Sequence, residues 1–225
     1  MIEGLSVLAL IPARGGSKGL PRKNVLPAHG RPLLAWSIEA ASQSRYVDKC
    51  VVSSDDDEVM EAGRRWGADV PFRRRAELAS DTASSMDVVL HALDMLGAWD
   101  IVVLLQPTSP LRTAQDVDAA LERMLLNKAP SCVSVCPVEE SPYWMFTLDA
   151  KQALQPVLGT GAMVTRRQDL PPVYKLNGAV YAARTSWLRQ TRSFVGPGTV
   201  AHPMPLERSL DIDTQADFDA FTKSI

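Results

Sequence analysis

Four short apolar runs divide the first 136 residues: "SVLALI" at 6–11, "KCVVSS" at 49–54, "DIVVLLQ" at 100–106 and "SCVSVC" at 131–136. Each is rich in valine or leucine and lacks polar alternation, the pattern of strands covered on both faces. Between them stand stretches with helical spacing: Pro32 to Gln43, Asp56 to Trp66 stopped by Gly67, Ser84 to Leu96 stopped by Gly97, and Ala114 to Asn127. In the last of these Val117, Leu121, Met124 and Leu125 make one apolar stripe, and Thr113-x-x-Asp116 can cap its start. Strand and helix in alternation predict right-handed crossovers and a mostly parallel sheet with helices on both faces. Ligands of such sheets bind outside the carboxyl ends of the strands.

From Pro137 to Pro172 the pattern breaks into prolines, aromatics and short polar segments, which reads as an excursion from the sheet. "LNGAVYAA" resumes as a strand at 176–183, and "DIDTQADFDAFTK" closes the chain with a helix that Thr214-x-x-Asp217 can cap. The expected organisation is one α/β unit formed by 1–136 and 176–225, with 137–175 inserted as a small subdomain. No internal repeat or low-complexity tract interrupts it.

The chain has 225 residues, 46% of them hydrophobic, and a formal charge of −2. It can bury a sizeable core and is neither disordered nor broadly basic. Nucleic acid is therefore not an expected partner, and any anion must be held by a local cluster. No apolar run approaches the roughly 20 residues of a membrane span. The opening "MIEGLSVLAL" lacks a basic n-region, so the expectation is a cytoplasmic protein without a membrane partner. Cys132 and Cys136, four apart on one strand, share a face but lie beyond disulfide reach; with Cys50 they read as small buried residues in a reducing compartment.

The strongest local chemistry is "ARGGSKGLPRKN" at 13–24, where Arg14, Lys18, Arg22 and Lys23 share twelve positions with three glycines and no acid. It leaves the first strand at Pro12, at the carboxyl edge of the sheet, where glycine-rich turns expose N–H groups to oxyanions and lysines neutralise them. A triphosphate is the matching guest. Neither G-x-x-x-x-G-K-[ST] nor G-x-G-x-x-G fits Gly15, Gly16 and Gly19. Far along the chain, Asp211 and Asp213 in "SLDIDT" alternate with an apolar residue, so on an extended segment both carboxylates face one way. Two hard oxygens on one face suit Mg²⁺ shared with phosphate. "QPTSPLR" at 106–112 sets Gln106, Thr108, Ser109 and Arg112 at a third strand end, and "RRRAELASDTASS" at 73–85 puts a basic run and hydroxyls before a helix that Ser80 or Ser84 can cap. His29, His91 and His202 are scattered without metal-ligand spacing, and no G-x-S-x-G elbow of a serine hydrolase is present.

Taken in order, "ARGGSKGLPRKN", "RRAELASDTASS", "LLQPTSPLR", "NGAVYAA" and "DIDT" resemble the acylneuraminate cytidylyltransferases, the CMP-sialic acid synthetases, over about residues 7 to 217. The resemblance implies a Rossmann-like three-layer α/β sandwich with a mostly parallel sheet, of the nucleotide-diphospho-sugar transferase type, with 137–175 as a small dimerisation subdomain. It implies a homodimer that uses Mg²⁺ and converts CTP and a nine-carbon 2-keto-3-deoxy sugar acid into the CMP-sugar and pyrophosphate. By the same resemblance Arg14, Lys18 and Lys23 hold the triphosphate, with Ala13, Asn24 and Ala83 near the nucleotide and Arg74 and Ser85 toward cytosine or adjoining parts of the nucleotide. Gln106, Arg167, Lys175, Asn177, Tyr181 and Phe194 are the implied sugar contacts, and Asp211 and Asp213 the metal ligands.

Two departures stand near the implied sugar pocket. Trp144 replaces a lysine that the partner subunit contributes in a family member, and Phe194-Val195 replaces two adjacent phenylalanines. The residues thus leave sialic, legionaminic and pseudaminic acids open. Two further readings remain: a cytidylyltransferase for the eight-carbon acid 3-deoxy-manno-octulosonate, against which "ELASDTASS" and "QPTSPLR" argue, and a non-catalytic nucleotide-binding module, which has no need of paired aspartates.

Overall fold

Val7–Pro12 forms the first strand, β1, and Val7 to Ile11 are fully buried, as an unbroken apolar run requires. The computed structural model describes residues 1–17, 19–80, 82–158 and 166–224, without the side chain of Arg167. After β1 come the short strands β2 (Pro27–Ala28) and β3 (Arg31–Pro32), then α1 (Leu33–Ser42), β4 (Lys49–Ser53), α2 (Asp57–Arg65) and α3 (Ser85–Leu96). β5 (Ile101–Leu104), α4 (Ala114–Leu126) and β6 (Ser131–Pro137) complete the regular alternation. A hairpin of β7 (Phe146–Leu148) and β8 (Leu154–Pro156) occupies the excursion. The chain then forms β9 (Tyr174–Arg184), α5 (Thr185–Thr191), β10 (Val200–Pro203) and α6 (Gln215–Lys223).

Six strands form the central sheet in the order β10-β6-β9-β5-β1-β4. β1 is parallel to β4 and β5, and β10 to β6, while β9 runs antiparallel to both of its neighbours. The reversal fits the connection: among the described residues between β6 and β9 there is a hairpin and no α-helix to carry a crossover, and the chain returns beside β6 in the opposite sense. Its consequence is that the beginning of β9 lies at the edge where β6 ends, with Lys175 paired to Cys136 and Leu176 to Val135.

Alternate residues of β1 feed two apolar layers. Val7, Ala9 and Ile11 pack with Leu34 and Ile38 of α1 and with Val117, Leu121 and Met124 of α4. Leu8 and Leu10 pack with Val89, Ala92 and Leu93 of α3. A third cluster, of Leu20, Ala28, Leu33, Ile212, Phe218 and Phe221, joins the glycine-rich turn to α6. Capping boxes form at Thr113/Asp116 and Thr214/Asp217, and Ser84 caps α3. Cys50, Cys132 and Cys136 are free, and burial pushes the thiols of Cys50 and Cys132 up to about 12. Among the described residues no helix is long and apolar enough to cross a membrane.

Asp116 does more than cap α4. Burial opposes its charge, but hydrogen bonds from His202, Arg208 and Thr113 outweigh that and hold its carboxyl well below the usual aspartate range. A carboxyl depressed in the fold contributes stability that is present above its unfolded value of about 3.9 and is lost as pH falls through the folded value. Urea unfolding at graded pH should therefore show a steep loss below about pH 4. Asp116→Asn should start less stable at neutral pH and lose less on acidification; parallel curves for the two proteins would refute the assignment.

Candidate functional site

The amide of Ala13 donates to the Ser53 carbonyl at 3.0 Å, the last rung between β1 and β4, and its side chain is fully buried. Beyond it the glycine-rich turn follows a path that two glycines make available. The Gly15 amide donates to Asp55 Oδ1 at 3.2 Å, and a Cβ on Gly15 would lie 2.5 Å from Cβ of Asp56. A Cβ on Gly19 would lie 2.3 Å from the main-chain oxygen of Asp213. The turn thus rests directly on the segment that carries the two aspartates. Leu20 and Ile212, buried in the same cluster, anchor that contact. With Ile212 pointing inward, Asp211 and Asp213 remain exposed on either side of it.

Lys23 closes the junction from the far end of the turn. Its ammonium donates to the Ile212 carbonyl at 2.7 Å and to Asp213 Oδ1 at 3.0 Å. Asn24 is buried and donates from Nδ2 to the Arg14 carbonyl at 2.8 Å, which fixes the turn internally. The Arg14 guanidinium reaches the carbonyls of Ala79 at 3.4 Å and Ser80 at 3.2 Å. Arg14, Lys23 and Asn24 line a cleft of about 290 Å³ together with Arg74, Ala83, Ser85 and Gln106. Seven residues singled out from sequence, drawn from three separate segments, therefore face one opening.

Arg74 forms a buried wall of this cleft, only 4% exposed. Its Nη2 lies 3.4 Å from Asp55 Oδ1, and its Nε is buried without a hydrogen-bond partner. Burial pushes its guanidinium below the ordinary value, against the pull of Asp55. An arginine stays charged under such a shift, so the wall carries an incompletely satisfied cation. Ser85 opens α3, whose N-terminus points donors and a partial positive charge toward the same region.

Asp211 is linked to the cleft through a hydrogen bond with Thr108. Desolvation raises its carboxyl above the ordinary aspartate range, with the charge of Asp213 adding to the shift and the Thr108 hydroxyl and Lys23 opposing it. Thr108 lines the cleft, and its carbonyl accepts from the Ile212 amide at 2.8 Å. A crowded carboxylate with a second one beside it gains from a divalent cation. Among the described residues no group of three His, Cys, Asp or Glu side chains is arranged to hold a metal alone. Two carboxylates completed by substrate phosphates and water do fit a hard ion such as Mg²⁺.

The implied sugar contacts are less uniformly gathered. Lys175 lies with Asp211 and Ser209 along a neighbouring cavity of about 440 Å³. Tyr181 packs against Phe194 with ring centroids 5.6 Å apart, and Asp211 is close enough to add to the upward shift of its phenol, which burial dominates. Val195 beside Phe194 is exposed, and Trp144 is half-buried in a turn at Pro142–Trp144. Asn177 is 5% exposed, and its amide is engaged inside the protein: Nδ2 donates to Ser209 Oγ at 2.9 Å, and Oδ1 accepts from Ser134 Oγ at 2.6 Å. Lys18 and the side chain of Arg167 lie outside the described residues.

One group of residues, an acidic run, was not foreseen. Asp55, Asp56, Asp57 and Glu58 follow β4 and hold the basic segments: Asp55 the Gly15 amide and Arg74, Asp56 and Glu58 the guanidinium of Arg22, and Asp57 that of Arg73. Their signal was present as an acidic run after the second buried strand, complementary to the basic turn after the first. Arg22 is thereby directed to α2. Arg112 is fully engaged below the site, with Nε donating to the Ala179 carbonyl at 2.6 Å, Nη1 to Ser37 Oγ at 2.5 Å and Nη2 to the Gln106 carbonyl. Burial pushes its guanidinium down to about 9, with Asp116 and Asp211 the charges that oppose the shift. Gly178, at φ +74°, lets Gln106 and Ser109 approach, since a Cβ there would lie 3.1 Å from Gln106 Oε1 and 3.2 Å from Ser109 Oγ.

Comparison with known proteins adds four findings. Residues 8–189 match the sequence profile of the family described as cytidylyltransferase. The chain is 36% identical over 222 residues to the CMP-N,N'-diacetyllegionaminic acid synthase of Legionella pneumophila, covering 95% of this chain and 94% of that one. It is 36% identical over 214 residues to the N-acylneuraminate cytidylyltransferase of Escherichia coli, covering 95% of this chain and 50% of that protein. Among solved structures, a CMP:2-keto-3-deoxy-manno-octonic acid synthetase complexed with CTP superposes with a TM-score of 0.75 over 97% of both chains. At 19% identity that likeness shows the shared fold alone.

Proposed function

Because this chain belongs to the cytidylyltransferase family, we propose that it joins the CMP group of CTP to a nine-carbon 2-keto-3-deoxy sugar acid of the sialic, legionaminic or pseudaminic type and releases pyrophosphate. One observation carries the reading: the glycine-rich turn, Lys23 and the Asp211–Asp213 segment meet within hydrogen-bonding distance beside a cleft walled by Arg74. On this reading, nucleotide binding, charge neutralisation and a cation seat would share the carboxyl edge of β1.

In this account the sugar's anomeric hydroxyl attacks the α-phosphorus of CTP in line with the departing pyrophosphate. Such transfers depend on positioning and electrostatics more than on covalent chemistry by the protein. Arg14 and Lys23, with Lys18, neutralise the charge that grows on the leaving group. Arg74, Ala83 and Ser85 receive the cytosine end, supported by the buried cation and the α3 N-terminus. Gln106 and Tyr181 orient the sugar, and Lys175 suits its carboxylate. Asp211 and Asp213 would hold Mg²⁺, which supplies neutralisation of the phosphates when bound. Among the described residues lining the cleft none is a histidine or a carboxylate, so none of them serves as a general base and the hydroxyl proton passes to water.

The hairpin region supports a homodimer. Leu148, Leu154, Val157, Leu158, Tyr174 and Leu176 are all exposed there, an apolar surface that a second copy would cover. Sedimentation at the monomer mass would refute this. The three free cysteines favour a reducing, cytoplasmic setting.

The test of function is purified protein with CTP, Mg²⁺ and a panel of sialic, legionaminic, pseudaminic and eight-carbon 2-keto acids, scored by mass. A CMP adduct of at least one nine-carbon acid, with equimolar pyrophosphate, is expected. Turnover of the eight-carbon acid alone would transfer the reading to that substrate. Nucleotide binding without any product would replace the enzyme by a binding module.

A further inference from the structure

The stretch from Met204 to Asp213 carries both carboxylates of the site, yet its regular structure is limited to one turn at Leu206–Arg208. Main-chain bonds hold its ends, from the Met204 amide to the Val135 carbonyl at 2.7 Å and from the Ile212 amide to the Thr108 carbonyl at 2.8 Å. Side chains hold its middle. The hydroxyl of Ser209 donates to the Pro205 carbonyl at 2.9 Å and receives Asn177 Nδ2, which ties it to β9. One residue earlier, the guanidinium of Arg208 reaches the buried carboxylate of Asp116. The same carboxylate lies 3.3 Å from His202 Nε2 and accepts from the Thr113 amide and hydroxyl, each at 2.9 Å.

Asp116 sits in the first turn of α4, directly after the loop that presents Gln106 and Thr108. The Arg208–Asp116 bond therefore connects the two halves of the site from behind: the aspartate segment and the post-β5 loop. We propose that Arg208 and Asp116 are positioning residues for this reaction, fixing Asp211 and Asp213 against Gln106 and Thr108 without touching substrate. The inference rests on the function proposed above. Arg208 itself is partly exposed and adds no apolar core, whereas its removal leaves a buried anion short of its cation. The aspartate segment is then free to swing on its remaining ties, and the cost falls on cation affinity.

The discriminating measurement is CTP affinity by calorimetry without sugar acid, in Mg²⁺ and in EDTA. Arg208→Met should weaken the Mg²⁺-supported affinity by about 10-fold to 100-fold, the usual cost of losing a residue that orients metal ligands, and leave the affinity in EDTA unchanged. In turnover the KM for Mg²⁺ should rise while kcat at saturating Mg²⁺ holds, and Arg208→Lys should recover part of the loss. Should Arg208→Met not fold, the double variant Asp116→Asn with Arg208→Gln leaves no buried charge unpaired and should show a smaller loss of the same Mg²⁺-specific kind. Equal loss in Mg²⁺ and EDTA, or no loss in either, would overturn the positioning role while leaving the enzyme reading intact. Wild-type binding of CTP that ignores Mg²⁺ would overturn both.

Discussion

Lys23→Ala is expected to lower kcat/KM for CTP by about 10²–10³-fold, the magnitude typical of deleting one charge-stabilising donor from a reaction centre. The fold determines the position of Lys23 from two sides. Its side chain is 11% exposed, and its ammonium is held between the Ile212 carbonyl and Asp213. The same geometry limits the structural cost. Asp213 is 74% exposed, so the ion pair is of the surface kind that contributes about 0–1 kcal/mol. Thermal unfolding of the variant should stay close to wild type while turnover collapses, and kcat should fall along with kcat/KM because the charge on pyrophosphate grows in the transition state. Near-wild-type kcat at saturating Mg²⁺ would remove Lys23 from the chemistry.

Gly19→Ala should act on the same junction by steric means. The added methyl would meet the Asp213 carbonyl at 2.3 Å, and that oxygen belongs to main chain anchored by Ile212 and by the α6 capping box. Neither side can yield cheaply. Overpacking of this kind costs about 1–3 kcal/mol. A displacement of about 1 Å at a reacting centre can also cost 10²-fold in rate. Gly16→Ala is the control for folding, since a Cβ there meets nothing within 4 Å. Unfolding and kinetic measurements on the pair should show a stable Gly16 variant and a destabilised, nearly inactive Gly19 variant. Equal stability of the two would mean that the turn and the aspartate segment are not in contact in solution.

Much of this junction could be read from the chain because its determinants are local. The buried strands announce themselves as unbroken apolar runs, and the two capping boxes as Thr-x-x-Asp. The alternation of Asp211, Ile212 and Asp213 predicts two carboxylates outward and one apolar anchor inward, and Ile212 is buried with Leu20 as that requires. What the chain hid depends on pairing at long range. β9 reads as a strand, but its antiparallel sense is set by its pairing with β5 and β6, which only the folded sheet reveals. α5 and β10 are too short and too mixed in burial for either hydrophobic period to register. Asn177 is an implied sugar contact by resemblance alone, and its hydrogen bonds to Ser134 and Ser209, distant in sequence, could not be read from the chain. Arg112 likewise points inward to main-chain oxygens, and Asp116 carries a partner 92 residues away that its capping role did not suggest.

The central claim is that the turn after β1 and the paired aspartates serve one nucleotide. A crystal structure of the protein with CTP and Mg²⁺ tests it most directly. The account predicts the triphosphate against Gly15–Gly19 and Lys23, cytosine beside Arg74 and Ser85, and the cation on Asp211 and Asp213. A nucleotide bound away from this cleft, or lying within it with its phosphates turned from Lys23, would contradict it.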